Sequence, residues 1–367
     1  MPAHLRGLVS LGRVTPHPLV DPHGRTVRDL RISVTDRCNL RCRYCMPEGG
    51  MDWVPRSELL GFEEIERVAR VCVERYGFDG IRITGGEPTV RAGLAGLVAR
   101  LARLRAPGPG TEPGGAAPVP RAGPATPSRP VDLSLTTNGT TLALVATQLR
   151  AAGLRRVNIS CDSLRPDRFA AIARRDALAK VLEGIHVAAA CGFESVKVNC
   201  VLVRGVNDDE IVEFARFGRE AGVVVRFIEF MPLDADGAWS PDRVVPAAEV
   251  VAAVDAVFPL EPMAVRGSQP AERYTYLDGR GEMGVIGSVT RNFCGDCDRV
   301  RLTAEGMFRN CLFAVDETDL RAVLRSGGSD DDLAAAIERD VAGKWAGHSI
   351  GQVNFVRPAR SMSQIGG

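Results

Sequence analysis

Lysine is almost missing from this 367-residue chain: of its 46 lysines and arginines, only Lys180, Lys197 and Lys344 are lysine. A lysine inside a strand therefore calls for a reason. No apolar run approaches the roughly 18 residues that a membrane helix requires, and the opening stretch MPAHLRGLVSLG lacks the apolar centre of a secretory signal. These absences predict a cytoplasmic protein with no membrane partner. A formal net charge of +1 argues against nucleic acid as a partner, although local arginine clusters can still hold a small anion. Histidine is scarce too, and none of His4, His17, His23, His186 and His348 stands in zinc-like spacing beside cysteine. Ten cysteines in a cytosolic protein seldom pair as disulfides; clustered ones point to metal or catalysis.

With 45% hydrophobic and 25% charged residues, the chain can bury one large domain and a smaller one. Six β-branched or apolar runs begin at Leu30, Gly80, Val131, Arg156, Ser195 and Val223. Most are separated by helix-like segments, among them GFEEIERVARVCVERYG, the stretch from Leu142 to Gly153, and NDDEIVEFARFGREAG. In the last of these Asn207 or Asp208 can cap the helix and Gly222 can stop it. The rhythm predicts an α/β fold, a partial βα barrel of about six parallel strands.

Parallel strands covered by helices usually read apolar on both faces. These alternate: Arg31, Ser33 and Thr35 oppose Leu30, Ile32 and Val34, and Arg82 with Thr84, Ser134 with Thr136, Asn158 with Ser160, and Lys197 with Asn199 repeat the pattern. The apolar set must meet the helices, which leaves a polar lumen that needs a polar ligand or water. The sixth strand fits less well, because Arg226 and Glu229 have opposite parity.

The expected organisation is an N-terminal extension over 1–28, the barrel over 29–232, and a smaller C-terminal α+β region over 233–367. The Pro/Gly-rich stretch 106–130 cannot build a core and reads as a disordered insertion, with a partner-docking arm as its functional alternative.

Two stretches carry chemistry. TDRCNLRCRYCMPEGG places Cys38, Cys42 and Cys45 on a loop directly after the first strand. A closed structural zinc site takes four ligands; three thiolates leave one metal corner empty, where a four-iron cluster can bind a substrate or cofactor. Buried structural cysteine, or zinc with a distant fourth ligand, is the plainer alternative. Cys294, Cys297 and Cys311 repeat the three-thiolate pattern, with a zinc ribbon as the competing reading. Cys72, Cys161, Cys191 and Cys200 read as small core residues. TGGEP, Thr84 to Pro88, follows the second strand, where functional residues of βα barrels gather.

The first cysteine motif, with Tyr44 before its last cysteine, resembles that of the radical S-adenosylmethionine (SAM) enzymes. DLRISVTDRCNLRCRYCMP, IRITGGEPTVR, LTTNG, GVND, RFIEFMP, FCGDCDRVRLTAEG, CLF and the terminal IGG together resemble the GTP 3′,8-cyclases of molybdenum cofactor biosynthesis, the MoaA family. The resemblance runs from about Asp29 to Gly367 and is interrupted chiefly by the Pro/Gly stretch. It implies two 4Fe-4S clusters, one on Cys38, Cys42 and Cys45, the other on Cys294, Cys297 and Cys311. It implies SAM at Tyr44, Gly86, Glu87, Ser160 and Met231, and GTP at Arg31, Arg82, Thr136, Lys197, Arg299, Val300 and Arg301. Arg299, Arg301, Gly366 and Gly367 are implied in catalysis, the two glycines by reaching into the site. The implied reaction cleaves SAM reductively to methionine and 5′-deoxyadenosine and turns GTP into 3′,8-cyclo-7,8-dihydro-GTP. The implied partners are an electron donor, a downstream pterin-forming enzyme and a second copy of the chain in a homodimer. A peptide-modifying radical SAM enzyme and a metal-binding scaffold remain as alternatives.

Overall fold

The computed structural model describes residues 17–107, 128–234, 236–264, 266–353 and 355–366. Most of the N-terminal extension, most of the Pro/Gly stretch and Gly367 therefore lie outside the described residues. All six expected runs form strands: β1 (Asp29–Ser33), β2 (Gly80–Thr84), β3 (Asp132–Thr137), β4 (Arg156–Ser160), β5 (Ser195–Leu202) and β6 (Val224–Glu229). The C-terminal region adds β7 (Leu260–Pro262), β8 (Glu272–Tyr276), β9 (Glu282–Ile286), β10 (Arg299–Leu302), β11 (Met307–Arg309) and β12 (Thr318–Asp319).

These twelve strands form one sheet in the order β12-β11-β10-β1-β2-β3-β4-β5-β6-β9-β8-β7. The C-terminal strands thus extend the barrel sheet at both edges. β10 lies parallel to β1, pairing Asp29 with Arg299, and β9 lies parallel to β6, pairing Arg226 with Gly284. Antiparallel β11 and β12 follow on one side, and β8 and β7 on the other. The ends of the expected insertion are also ordered, since Arg105–Ala106 pairs with Arg129–Pro130.

Helices cover the outer face, where Leu30, Ile32, Ile81, Ile83, Leu133, Leu135, Val157, Ile159 and Val198 are fully or almost fully buried. Local signals explain the helix ends. Helix α1 (Phe62–Tyr76) starts where the Gly61 amide donates to Glu64 at 2.6 Å, and it stops at Gly77, whose φ of 74° suits glycine. The helix Ile211–Ala221 stops at Gly222 as expected. Neither expected cap serves it. Asn207 instead donates to the carbonyls of Asp162 and Val201 at 2.7 and 2.9 Å, tying the ends of β4 and β5 together; Asp208 accepts from the Gly205 amide.

The register lines up the polar positions. Arg301, Arg31 and Arg82 are direct neighbours across β10, β1 and β2, and Ser134 continues the row on β3. Thr136, Asn158 and Lys197 form the next row, and Asn199 stands beside Arg226. The inner face is therefore a continuous polar surface with a strongly cationic side.

Candidate active site

One cavity opens at the C-terminal ends of the parallel strands and is lined by all six motif cysteines. The loop after β1 brings Cys38, Cys42 and Cys45 to one wall, and the turn Cys294–Asp296 with Cys297 and Cys311 forms another. Among the described residues no three Cys, His, Asp or Glu side chains converge on a single metal ion. Three thiols match three irons of a four-iron cluster, whereas a closed structural zinc site takes four ligands. Cys72, Cys161 and Cys200 are buried in the core as expected, and Cys191 packs against it.

The two triads differ in what surrounds the sulfurs. Burial pushes the Cys38, Cys42 and Cys45 thiols up, Cys45 to about 12, and the carboxylates of Asp162 and Glu87 add to the rise. Neutral donors approach Cys38: the Leu40 amide at 3.4 Å and the Asn138 amide side chain at 3.7 Å. Burial also pushes Cys294 up. At Cys297 burial is more than offset by Arg299 and Lys344, which hold that thiol below its ordinary value. Arg299 stacks over Phe293 at 4.7 Å.

Around the first triad, Tyr44, Gly86, Ser160 and Met231 all line the cavity. The Tyr44 hydroxyl donates to Asp162 at 2.6 Å, and the other Asp162 oxygen accepts from the Val201 amide. Burial raises the Asp162 carboxyl to about 6. Gly86 is required by close packing: a Cβ there would lie 2.3 Å from the Asp36 carbonyl oxygen. That contact joins the TGGEP turn to the cysteine loop. Glu87 is placed differently from the SAM-facing position expected of it. Its carboxylate is buried outside the cavity lining and accepts from Thr137 at 2.7 Å, the Asn138 amide at 2.6 Å and the Thr89 amide at 3.0 Å. It braces the loops after β2 and β3.

The cavity floor is cationic. Arg31, Arg82, Arg299 and Arg301 line it with Thr136. Among the described residues, Arg31 Nε, Arg82 Nε and Arg299 Nη2 are buried without a hydrogen-bond partner, and Asp29, 3.8 Å from Arg31 Nε, is the carboxylate nearest them. Burial and the neighbouring guanidiniums Arg82, Arg301 and Arg299 pull Arg31 well below the usual arginine range. Burial also lowers Arg301 to about 10, and its Nη1 donates to the Gly366 carbonyl. Like charges packed out of water are costly alone and are relieved by a polyanion.

Two expected GTP contacts do not line the cavity. Lys197 shares the inner face but is absent from the cavity lining, and burial, Arg226 and Arg156 pull it down to about 8. Val300 lies between the two arginines with its side chain in the apolar core, as strand alternation demands. Arg226 is the cation that the motif reading missed. It lines the cavity, donates to Asn199 at 2.9 Å and Asn158 at 2.7 Å, and is lowered to about 9 by burial, Arg82 and Arg156. The parity conflict ends at Glu229, whose carboxylate accepts from the amides of Ala247, Val289 and Thr290 behind the sheet edge. Asp162 and His348 also line the cavity without having been expected there.

Gly366 lies against β1 and β2. With φ at 81°, a Cβ there would fall 2.2 Å from Thr84 Oγ1 and 2.3 Å from Ser33 Oγ. Only glycine brings the chain this close to the arginine row.

Comparison with known proteins agrees with this architecture. Residues 32–218 match the Radical SAM superfamily, and residues 223–350 match the family described as Molybdenum Cofactor Synthesis C. The chain is 46% identical over 360 residues to the GTP 3′,8-cyclase of Streptomyces coelicolor, covering 98% of this chain and 99% of that one. It is also 46% identical to the GTP 3′,8-cyclase of Rhodopirellula baltica over 356 residues, 96% of this chain and 93% of that one. Among solved structures, Streptococcus suis SuiB superposes with a TM-score of 0.58 at 12% identity, covering 88% of this chain and 68% of that one; that likeness concerns the fold alone. Near-complete coverage at this identity makes the chain a member of the GTP 3′,8-cyclase family of radical SAM enzymes.

Proposed function

We propose that this protein is a radical SAM lyase that converts GTP to 3′,8-cyclo-7,8-dihydro-GTP, the first step toward the molybdenum cofactor. The observation that carries this reading is one cavity joining two three-thiol loops to a floor of buried arginines, three of whose nitrogens have no hydrogen-bond partner among the described residues. The donor set fits two 4Fe-4S clusters, with Cys38, Cys42 and Cys45 holding one and Cys294, Cys297 and Cys311 the other. When bound, the first cluster and SAM together supply the one-electron chemistry that generates a carbon radical.

The chain's own residues bind, orient and shield. Tyr44, fixed by Asp162, would form the wall beside SAM, with Ser160, Met231 and the backbone edge at Gly86 flanking it. Arg31, Arg82, Arg226, Arg299 and Arg301 would grip GTP through charge-assisted hydrogen bonds, with Thr136 between them. Lys197 would act from the same inner face, through its charge. Holding the ribose against SAM while the barrel wall excludes water is the protein's share of the catalysis. The C-terminal tail would close the site from β1 and β2 with Gly366 and Gly367.

The barrel unit over 29–232 and the C-terminal region over 233–367 would then contribute one triad each. Family membership supports a cytoplasmic setting, an external electron donor, a pterin-forming enzyme that takes the product, and a homodimer.

The test is anaerobic turnover with GTP deuterated at the ribose 3′ carbon. Deuterium should appear in 5′-deoxyadenosine, with 3′,8-cyclo-7,8-dihydro-GTP formed in step. SAM cleavage without deuterium transfer would remove GTP as the hydrogen donor.

A further inference from the structure

Lys344 is one of three lysines in the chain, and it is buried. It follows the helix Asp330–Ala342, whose end carries it beneath the C-terminal triad. Its ammonium donates to the Arg299 carbonyl at 2.8 Å and to the Asn310 carbonyl, and lies 3.9 Å from Cys297 Sγ. Those three acceptors match its three protons.

They also come from both chain segments that carry the triad. Arg299 follows Cys297, and Asn310 immediately precedes Cys311. Arg25 reinforces the arrangement from the N-terminal side. Its guanidinium, paired with Asp21 at 2.5 Å, donates to the carbonyls of Cys294 at 2.6 Å, Ala346 at 2.8 Å and Trp345 at 2.5 Å. The segment bearing Lys344 is thereby fixed to the turn bearing Cys294.

Two of the acceptors of Lys344 are neutral carbonyls; the third becomes an anion as soon as Cys297 ligates iron. A buried cation is costly until an anion faces it. Charge and hydrogen bonds at the ligand sulfurs set the reduction potential of an iron–sulfur cluster, because reduction adds negative charge. A fixed ammonium beside one sulfur therefore favours the reduced form. At the first triad the donors to the Cys38 sulfur are neutral amides, and Arg41 reaches only the Cys38 carbonyl, at 2.9 Å.

We propose that Lys344 is a positioning residue for the C-terminal cluster: it joins the two ligand segments and raises that cluster's reduction potential through the Cys297 sulfur. The inference rests on the assignment of Cys294, Cys297 and Cys311 to a cluster.

The experiment is an anaerobic redox titration of the full-length, two-cluster enzyme, followed by electron paramagnetic resonance, for the native chain and Lys344→Met, Lys344→Gln and Lys344→Arg. The C-terminal signal is identified by its loss from a chain with Cys294, Cys297 and Cys311 all changed to Ala. The Met and Gln variants should shift that signal's midpoint to lower potential and leave the N-terminal midpoint in place, and Arg should restore most of the shift. An unchanged midpoint in Met or Gln, with the signal present, overturns the proposal. If Met and Gln lose the C-terminal iron while Arg keeps it, the need for a cation is upheld; if all three lose it while the N-terminal cluster stays loaded, the proposal is overturned. If the triple Cys→Ala chain keeps both signals, the cluster assignment fails instead.

Discussion

The loop after β1 and the segments around β10 present three thiols each to one cavity, but the charges around them differ in sign. Asp162 and Glu87 stand near the first triad and help push its thiols up. Arg299 and Lys344 flank the second and hold Cys297 down. A cluster held by Cys38, Cys42 and Cys45, among acids and apolar groups, would resist gaining an electron and give one up readily. A cluster among cations tolerates added negative charge and lies beside the arginines that an anionic substrate needs. On the proposed assignment, the charge of the cavity walls would separate electron delivery from substrate binding.

The largest effects should come from removing the thiols. Cys42→Ala should bring both 5′-deoxyadenosine and cyclised product to background, whereas Cys297→Ala should keep SAM cleavage and lose only the cyclised product. Chromatography of both products decides it, and equal loss of SAM cleavage in the two variants would break the comparison.

Next comes the arginine that links the strands. Arg226→Ala removes a buried charge-assisted contact worth about 1.5–3 kcal/mol, so the GTP dissociation constant measured by calorimetry should rise roughly ten- to a hundredfold. SAM binding should not change. Gly366→Ala should lower turnover by about tenfold, because the added methyl meets Thr84 and Ser33 and displaces the tail from the site. Its melting temperature should remain that of the native chain.

The smallest effect concerns stability beneath the second triad. Burial raises the Asp340 carboxyl from 3.8 to about 6, and Asp340 accepts from Thr318 at 2.8 Å while its backbone carbonyl holds Asn310. A carboxyl raised by folding favours the folded state fully below its unfolded pKa of 3.8, and that contribution is lost as pH rises through 6. Asp340→Asn should therefore gain on the native chain between pH 4 and pH 7, by on the order of 2 kcal/mol. Chemical denaturation across that range checks it, and a constant difference would show that Asp340 does not titrate there.

Alternation along the strands was enough to put Arg31, Arg82, Thr136 and Ser160 on the inner face, where they lie. It fixes the side of a strand but not which inward residues border the cavity, so Lys197, in one register row with the lining residue Thr136, shares the inner face yet lies outside the lining. The side chain of Val300 turns outward by the same parity, while its flanking arginines face inward. Glu87 could not be read from its motif, because the groups that use its carboxylate, Thr137 and Asn138, lie 50 residues away in the chain. The C-terminal region was legible as α+β. The membership of its strands β9 and β10 in the barrel sheet was not, because it rests on pairings as distant as Asp29 with Arg299.

Those pairings bear on how the molecule is made. β1 and β6 are covered by β10 and β9, which emerge from the ribosome roughly 50 to 75 residues after β6 is complete. At synthesis rates of roughly 5–20 residues per second, the newborn six-strand sheet carries two bare edges for several seconds. Bare edges invite pairing with other chains. The last third of the polypeptide therefore seals the barrel against its neighbours during synthesis, and a ribosome stalled before Arg299 would release a sheet still open on the β1 side.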